Sequence, residues 1–159
     1  MRRLSQRDPR WSEVMIGSSR STLGLYGCLI TALCMIYSKF HPFGPKINPD
    51  AAAKDWSYSV DLVDWRTNYV GMSFVERVHT YVPTRDDAQI KKYCQSEDYG
   101  VVLQVQTGSG LHWVAAVGKS TLGWATNDPW NGRRLWKTVG FGASYKRVLG
   151  WAVMKKESL

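Results

Sequence analysis

Cys28 and His112 are the two residues whose types and placement could support catalysis. Cys28 follows Gly24 and Gly27 and begins an apolar run with no charged residue before Lys39. The amino end of a helix favours the thiolate form of a cysteine, and glycines beside it would let a substrate backbone approach closely. With His112 as its base, Cys28 is predicted to be the nucleophile of a thiol hydrolase. The alternative is that Cys28 is a buried small hydrophobe, as free cysteines commonly are.

Asp128 is the predicted partner of His112. A tight hairpin centred on Ser120 would place His112 and Asp128, each eight residues from the turn, directly opposite one another. Opposed side chains have Cβ atoms about 4.5–5.5 Å apart, so a carboxylate there would orient the imidazole. A slip of one residue would bring Asn127 to the histidine instead. The alternatives are that His112 is an ordinary polar residue at a strand edge and that Asp128 only forms a turn before Pro129.

The surrounding pattern predicts which elements hold these residues. Tyr26 to Lys39 is apolar all round, which is typical of a buried helix. Asn48 and Pro49 predict the start of a short helix. Residues 56–73 read as irregular. A strand over 74–82, a helix over 84–93 and strands over 101–105, 111–117, 122–128 and 146–154 are predicted to follow. Helices early and strands late, without βαβ alternation, indicate an α+β fold with an antiparallel sheet.

Composition restricts the function only broadly. The 159 residues fit one domain spanning 1–159, and the net charge of +8 suits an anionic partner such as nucleic acid, cell wall or a membrane surface. Three cysteines without paired spacing predict no disulfide framework and no metal site, and Cys34 and Cys94 are expected to be structural. No cofactor motif is present. Without a secretory signal or an apolar span, synthesis in the cytoplasm is expected, with action at the cell wall if a phage or another export route delivers the protein.

Two blocks of the chain resemble the peptidase C39-like family, stand-alone relatives of the bacteriocin leader-processing cysteine peptidases. The first block comprises Ser5–Trp11, Gly17-Ser18-Ser19, Ser21–Gly24 and Gly27–Met35. The second comprises His112-Trp113-Val114, Val117-Gly118, Asn127–Trp130 and Gly132, and Leu62–Trp65 is a weaker match between the two. The resemblance covers both ends of the domain and leaves most of residues 36–100 unsupported.

The resemblance implies a papain-like cysteine peptidase fold, in which a central N-terminal helix carrying Cys28 packs on an antiparallel sheet. It implies that Cys28 is the nucleophile, His112 the general base and Asp128 the orienting residue. Gln6 would complete an oxyanion hole beside the Cys28 backbone N–H; without the family, Gln6 reads equally well as a surface glutamine. No transporter segment accompanies this domain, so cleavage after a Gly-Gly leader, as in the bacteriocin processors, is not expected of this protein.

The predicted function is therefore a cysteine peptidase or amidase that works through an acyl-enzyme. A bacterial cell-wall peptide is the expected substrate, as for a phage or bacterial lysin. One alternative is a catalytically inactive binding module of the same fold. Another is a basic nucleic-acid binder, since Lys and Arg lie near aromatic residues at 133–137 and 145–147. No motif for base readout accompanies them, so nucleic acid is not the expected partner.

Overall fold

A six-stranded antiparallel sheet forms the middle of the molecule in the computed structural model, which describes residues 1–56, 58–59, 62–63, 65, 69, 71–108 and 110–158. The helices are α1 (Leu23–Tyr26), α2 (Cys28–Phe40), α3 (Pro49–Asp55) and α4 (Pro83–Gln95). The strands are β1 (Tyr58–Ser59), β2 (Leu62–Val63), β3 (Met72–Val78), β4 (Tyr99–Gln106), β5 (Leu111–Ser120), β6 (Gly123–Asp128), β7 (Arg133–Leu135) and β8 (Val148–Lys156). The main sheet has the order β3-β8-β4-β5-β6-β7, while β1 and β2 pair separately.

Helix α2 packs against one face of the sheet. Its side chains are fully buried from Ile30 to Ile36, as expected for a helix that is apolar all round. The helix lies very close to β4, because a Cβ added to Gly100 would come within 2.2 Å of Ile36 Cγ2. The sheet residues in this core include Val102, Trp113, Ala115 and Ala152. The core thus holds α2 against the middle of the sheet.

Helix α4 covers the opposite face of the sheet. Its buried residue Ile90 packs among the alternate side chains of the same strands, namely Val101, Leu103, Val105, Val114, Ala116, Val148, Trp151 and Val153. The start of the helix is held by Asp86, whose carboxylate accepts a hydrogen bond of 2.7 Å from the Val82 backbone N–H. The period-two alternation along the strands therefore divides the hydrophobic residues between two cores, one under each helix.

The α+β class and the antiparallel sheet are confirmed, and the boundaries differ in detail. The predicted helix from Tyr26 begins at Cys28, since a separate single turn, α1, precedes it. The strand β7 was not predicted. The expectation that residues 56–73 are irregular is wrong for the short pair β1–β2 and for the start of β3 at Met72. Much of that segment lies outside the described residues. Within the described part of the chain, no helix has both the length and the apolar character needed to cross a bilayer.

The N-terminal segment closes one end of the sheet, where the site lies. The Gln6 backbone N–H donates to the Pro129 carbonyl at 2.7 Å, and Trp11 Nε1 donates to the Ser5 carbonyl at 2.7 Å. Trp11 and Ile16 are buried in the core with α2. These contacts bring the start of the chain beside the loop that follows β6.

Candidate functional site

Cys28 is the first residue of α2 and is partly exposed. As the first helical residue it contributes an N–H that has no acceptor within the helix, at the positive end of the helix dipole. Cys34, less than two turns later, is fully buried in the core, so the two cysteines lie on different sides of the helix as expected. Burial raises the pKa of the Cys34 thiol well above its usual range. The thiol that opens the helix is therefore accessible, whereas the thiol inside it is sealed.

The two glycines ahead of Cys28 make room for the chain itself. A Cβ added to Gly27 would lie 2.5 Å from the Leu23 carbonyl oxygen, and one added to Gly24 would lie 3.0 Å from the Ser12 carbonyl oxygen. The prediction that these glycines let a substrate backbone approach is not supported, because the space beside each of them is occupied by the protein's own backbone. Gly27 instead permits the tight junction between α1 and α2 that presents Cys28.

His112 contacts Asp128 directly. Its Nε2–H donates to Asp128 Oδ1 at 2.8 Å, and both side chains are buried. Nδ1 is then the ring nitrogen left for Cys28, whose thiol lies close enough to interact with the imidazole. The structure thus brings together three groups from remote positions in the chain, the sulfur of Cys28, the imidazole of His112 and the carboxylate of Asp128.

The strand register behind this contact differs from the predicted one. The hairpin turn has Thr121 and Leu122 at its tip, with Ser120 paired to Gly123, so it is not centred on Ser120. A bulge then shifts the register at Val117. The prediction that His112 and Asp128 lie directly opposite is therefore wrong. They share a face of the sheet and meet diagonally, which long side chains can do across neighbouring strands.

The Asp128 carboxylate accepts two further hydrogen bonds. The Trp130 backbone N–H donates to Oδ1 at 2.9 Å, and the Tyr145 hydroxyl donates to Oδ2 at 2.6 Å. Burial opposes ionisation of Asp128, but the hydrogen bonds from His112, Tyr145 and Trp130 outweigh it and lower its pKa. Asp128 is thus both the predicted turn-former and the partner of His112, and it is held as an anion.

Tyr145 is the site residue that the sequence did not indicate. Its ring centroid lies 5.4 Å from that of His112, and burial together with the adjacent carboxylate of Asp128 raises its pKa. The hydroxyl is therefore a neutral donor. Tyr145 lies in a loop between β7 and β8, and it reaches the site through a backbone bridge to Val139. No spacing or motif in the sequence connects it to Asp128.

The environment of His112 stabilises its protonated form. Burial favours the neutral imidazole, but hydrogen bonds to Asp128 and Cys28 outweigh burial and raise the pKa of His112 to about 9, from an ordinary value near 6.5. The imidazolium is therefore the main form at neutral pH.

An NMR titration of the imidazole signals should show His112 losing its proton near pH 9. Because the pKa in the folded state is above the unfolded value, the stabilisation that His112 contributes is complete below about pH 6.5 and is lost as pH rises through 9. The free energy of unfolding should therefore fall over this interval. The His112 signal is the one that is missing in His112→Gln protein. Asp128→Asn should move the midpoint of this signal to lower pH. A midpoint near 6.5 in the unmodified protein would contradict this description.

Gln6 is buried beside Cys28, which excludes the reading of a surface glutamine. Its Nε2 donates to the Gly24 carbonyl at 3.0 Å, and its Oε1 is buried without a hydrogen-bond partner among the described residues. The Gly24 carbonyl requires a donor, so the amide orientation is determined. One of the two Nε2 hydrogens is used in this contact, and the second is left for another acceptor.

A cleft of about 440 Å³ opens onto Cys28, His112, Gln6 and Tyr145. It is lined by Gln6, Leu25, Tyr26, Cys28, Thr107, Leu111, His112, Trp130 and Tyr145. We refer to it as the Cys28 cleft. A larger cavity of about 830 Å³ lies next to it and shares only Leu111. That cavity holds neither the thiol nor the His112–Asp128 pair, so the smaller cleft is the candidate site.

Compared with protein-family models, with curated proteins and with solved structures, the chain matches none. Within the described residues, no group of three or more His, Cys, Asp or Glu side chains is arranged to hold a metal ion.

Proposed function

We propose that this protein is a thiol hydrolase with a papain-like fold, similar to the peptidase C39-like family, which cleaves a peptide or amide bond through an acyl-enzyme. The observation that carries the proposal is the convergence of Cys28 and His112 in one open cleft, with the buried Asp128 hydrogen-bonded to His112. A nucleophile, a base and a group that orients the base are the parts that covalent acyl transfer requires.

In the first half of the proposed reaction, the thiolate of Cys28 attacks the substrate carbonyl carbon and a C–S bond forms. The His112 imidazolium, held by Asp128, is the acid for the leaving amine. As the tetrahedral intermediate collapses, the C–N bond breaks and His112 transfers its proton to the amine nitrogen. The amine departs, and a thioester to Cys28 remains.

In the second half, His112 is neutral and acts as a base toward water. It takes a proton while the water oxygen attacks the thioester carbonyl, and collapse breaks the C–S bond. The acid product leaves, and the thiolate–imidazolium pair is restored. In both halves the oxyanion would accept hydrogen bonds from the Cys28 backbone N–H and the second Nε2 hydrogen of Gln6.

The rim of the cleft supports a peptide as the substrate. Leu25, Tyr26 and Leu111 are each more than 60% exposed, and Trp130 is 41% exposed. Exposed apolar side chains around a polar centre are typical of sites that bind the side chains of an extended ligand. Cell-wall peptide is the first substrate to test, because the net charge of +8 suits an anionic wall.

Iodoacetamide at pH 6 tests whether the thiol is activated, before any substrate is known. We expect the folded protein to be alkylated at Cys28 alone. Cys34 is sealed in the core, and burial raises the pKa of Cys94 to about 12, so neither presents a thiolate. His112→Gln should slow the reaction at Cys28 by about tenfold or more, because the thiolate loses its cationic partner.

The adducts are located by peptide mass spectrometry, with circular dichroism confirming that the protein remains folded. Equal labelling of all three cysteines in the folded protein would contradict the proposal. So would the absence of a Cys28 adduct, or a Cys28 rate that is unchanged in His112→Gln.

A further inference from the structure

The last part of the chain is strongly basic. Residues 129–147 contain no Asp or Glu, and their five cationic residues are Arg133, Arg134, Lys137, Lys146 and Arg147. The catalytic proposal uses none of these side chains. A surface with this charge would attract an anionic partner and repel a cationic one.

Two aromatic side chains project from the same segment. Phe141 is 99% exposed and Trp136 is 66% exposed, which is unusual for large apolar groups that have no partner. Phe141 stands at the tip of a loop between Gly140 and Gly142, whose φ values of 103° and 71° are strained for other residues. The loop therefore presents a phenyl ring directly to solvent.

Each aromatic residue has a cation beside it. The Lys137 ammonium donates to the Phe141 carbonyl at 2.7 Å, and the Arg134 guanidinium lies 5.5 Å from the centre of the Trp136 ring. We call Arg134, Trp136, Lys137 and Phe141 the basic aromatic face. Aromatic rings set among Lys and Arg side chains are typical of surfaces that enter the headgroup region of a lipid bilayer.

We propose that the basic aromatic face docks on a membrane that contains anionic lipid. Phe141 would enter the boundary between headgroups and acyl chains, Trp136 would lie at headgroup level, and the cations would bind lipid phosphates. Single-stranded nucleic acid is less suited to this surface. Proteins that bind it stack bases on rings within a groove, and neither Trp136 nor Phe141 lines the Cys28 cleft or the larger cavity.

Docking here would place the Cys28 cleft near the lipid surface. Tyr145, whose hydroxyl holds Asp128, lies in the same loop as Phe141, and the Tyr145 carbonyl accepts a hydrogen bond of 3.1 Å from the Gly140 N–H. The docking itself does not require the cleft to be catalytic. A binding measurement therefore tests it independently of hydrolysis.

Sedimentation with vesicles of phosphatidylglycerol and phosphatidylcholine measures the docking. We expect the protein to bind these vesicles, to bind phosphatidylcholine alone at least tenfold more weakly, and to release as salt is raised. Trp136→Ala/Phe141→Ala should weaken binding by about tenfold or more through lost apolar burial. Arg134→Gln/Lys137→Gln should weaken it by about 25-fold, at roughly fivefold for each cation.

Matched controls lie elsewhere on the surface. Phe43 is fully exposed in a loop after α2, so Phe43→Ala removes an equivalent ring. Lys155→Gln/Lys156→Gln removes the same charge from exposed positions on β8. Both controls should bind within about threefold of the unmodified protein. Equal losses in controls and test variants, equal binding to neutral vesicles, or displacement of the protein from vesicles by an equal charge of single-stranded oligonucleotide would overturn the proposal.

Discussion

Cys28→Ala protein should lose hydrolysis by at least about 10⁴-fold, because the substitution removes the nucleophile that forms the acyl-enzyme. The thermal midpoint should change by no more than about 2 °C, since the Cys28 side chain is partly exposed and its removal leaves no sealed void. Turnover is measured by mass spectrometry on a peptide library and on purified peptidoglycan. Comparing the unmodified protein with Cys28→Ala on each substrate also identifies the substrate class.

Cys34→Ala is the matched control for that experiment. Cys34 lies on the same helix and is fully buried, so its replacement should reduce the free energy of unfolding by about 1–2 kcal/mol and leave turnover intact. The two cysteines are thus expected to show opposite responses, one in activity and one in stability. A Cys28→Ala protein that still cleaves, or whose stability falls as much as that of Cys34→Ala, would exclude Cys28 as the nucleophile.

Asp128→Asn should reduce turnover by about 10²–10⁴-fold, the second largest effect that we expect. The amide keeps the size of the side chain but removes the negative charge that stabilises the His112 imidazolium and fixes its ring. Tyr145→Phe removes only one hydrogen bond to the same carboxylate, so a smaller loss of about tenfold is expected. The measurement is kcat and KM over pH, together with the NMR titration of His112.

Asn127→Ala tests whether the effect of Asp128→Asn comes from the contact of Asp128 with His112 or only from replacing a buried polar residue. Asn127 is as buried as Asp128, and its Oδ1 accepts a hydrogen bond of 2.6 Å from Arg134 Nε rather than from His112. We expect Asn127→Ala to lower stability while the His112 midpoint stays near pH 9. If Asn127→Ala and Asp128→Asn shifted that midpoint equally, the assignment of Asp128 as the orienting residue would be wrong.

Local patterns in the chain were enough to predict most of the elements. An all-round apolar segment predicted α2, and short apolar segments predicted β4, β5 and β6 close to their observed bounds. These features follow from the periods of helix and strand, which depend only on neighbouring residues. The same information placed Cys28 near the start of a helix, although the exact start required the junction at Gly27.

Contacts between remote segments could not be predicted in this way. Tyr145 and Gln6 reach the cleft through backbone hydrogen bonds to Val139, Gly140 and Pro129, which involve other parts of the chain. Such contacts form only when the loops close and the layers pack, so the spacing of residues within one segment does not predict them.

The choice between Asp128 and Asn127 shows most clearly where sequence information ends. With the observed turn, in which Ser120 pairs with Gly123, an unbroken ladder would place Asn127 on the face of His112. The bulge at Val117 inserts one residue, pairs Ala115 with Asn127, and so turns Asp128 toward the imidazole. The residue types capable of the chemistry were visible in the sequence. Which of them meet was decided by a one-residue shift in the sheet, because side chains alternate faces with every residue.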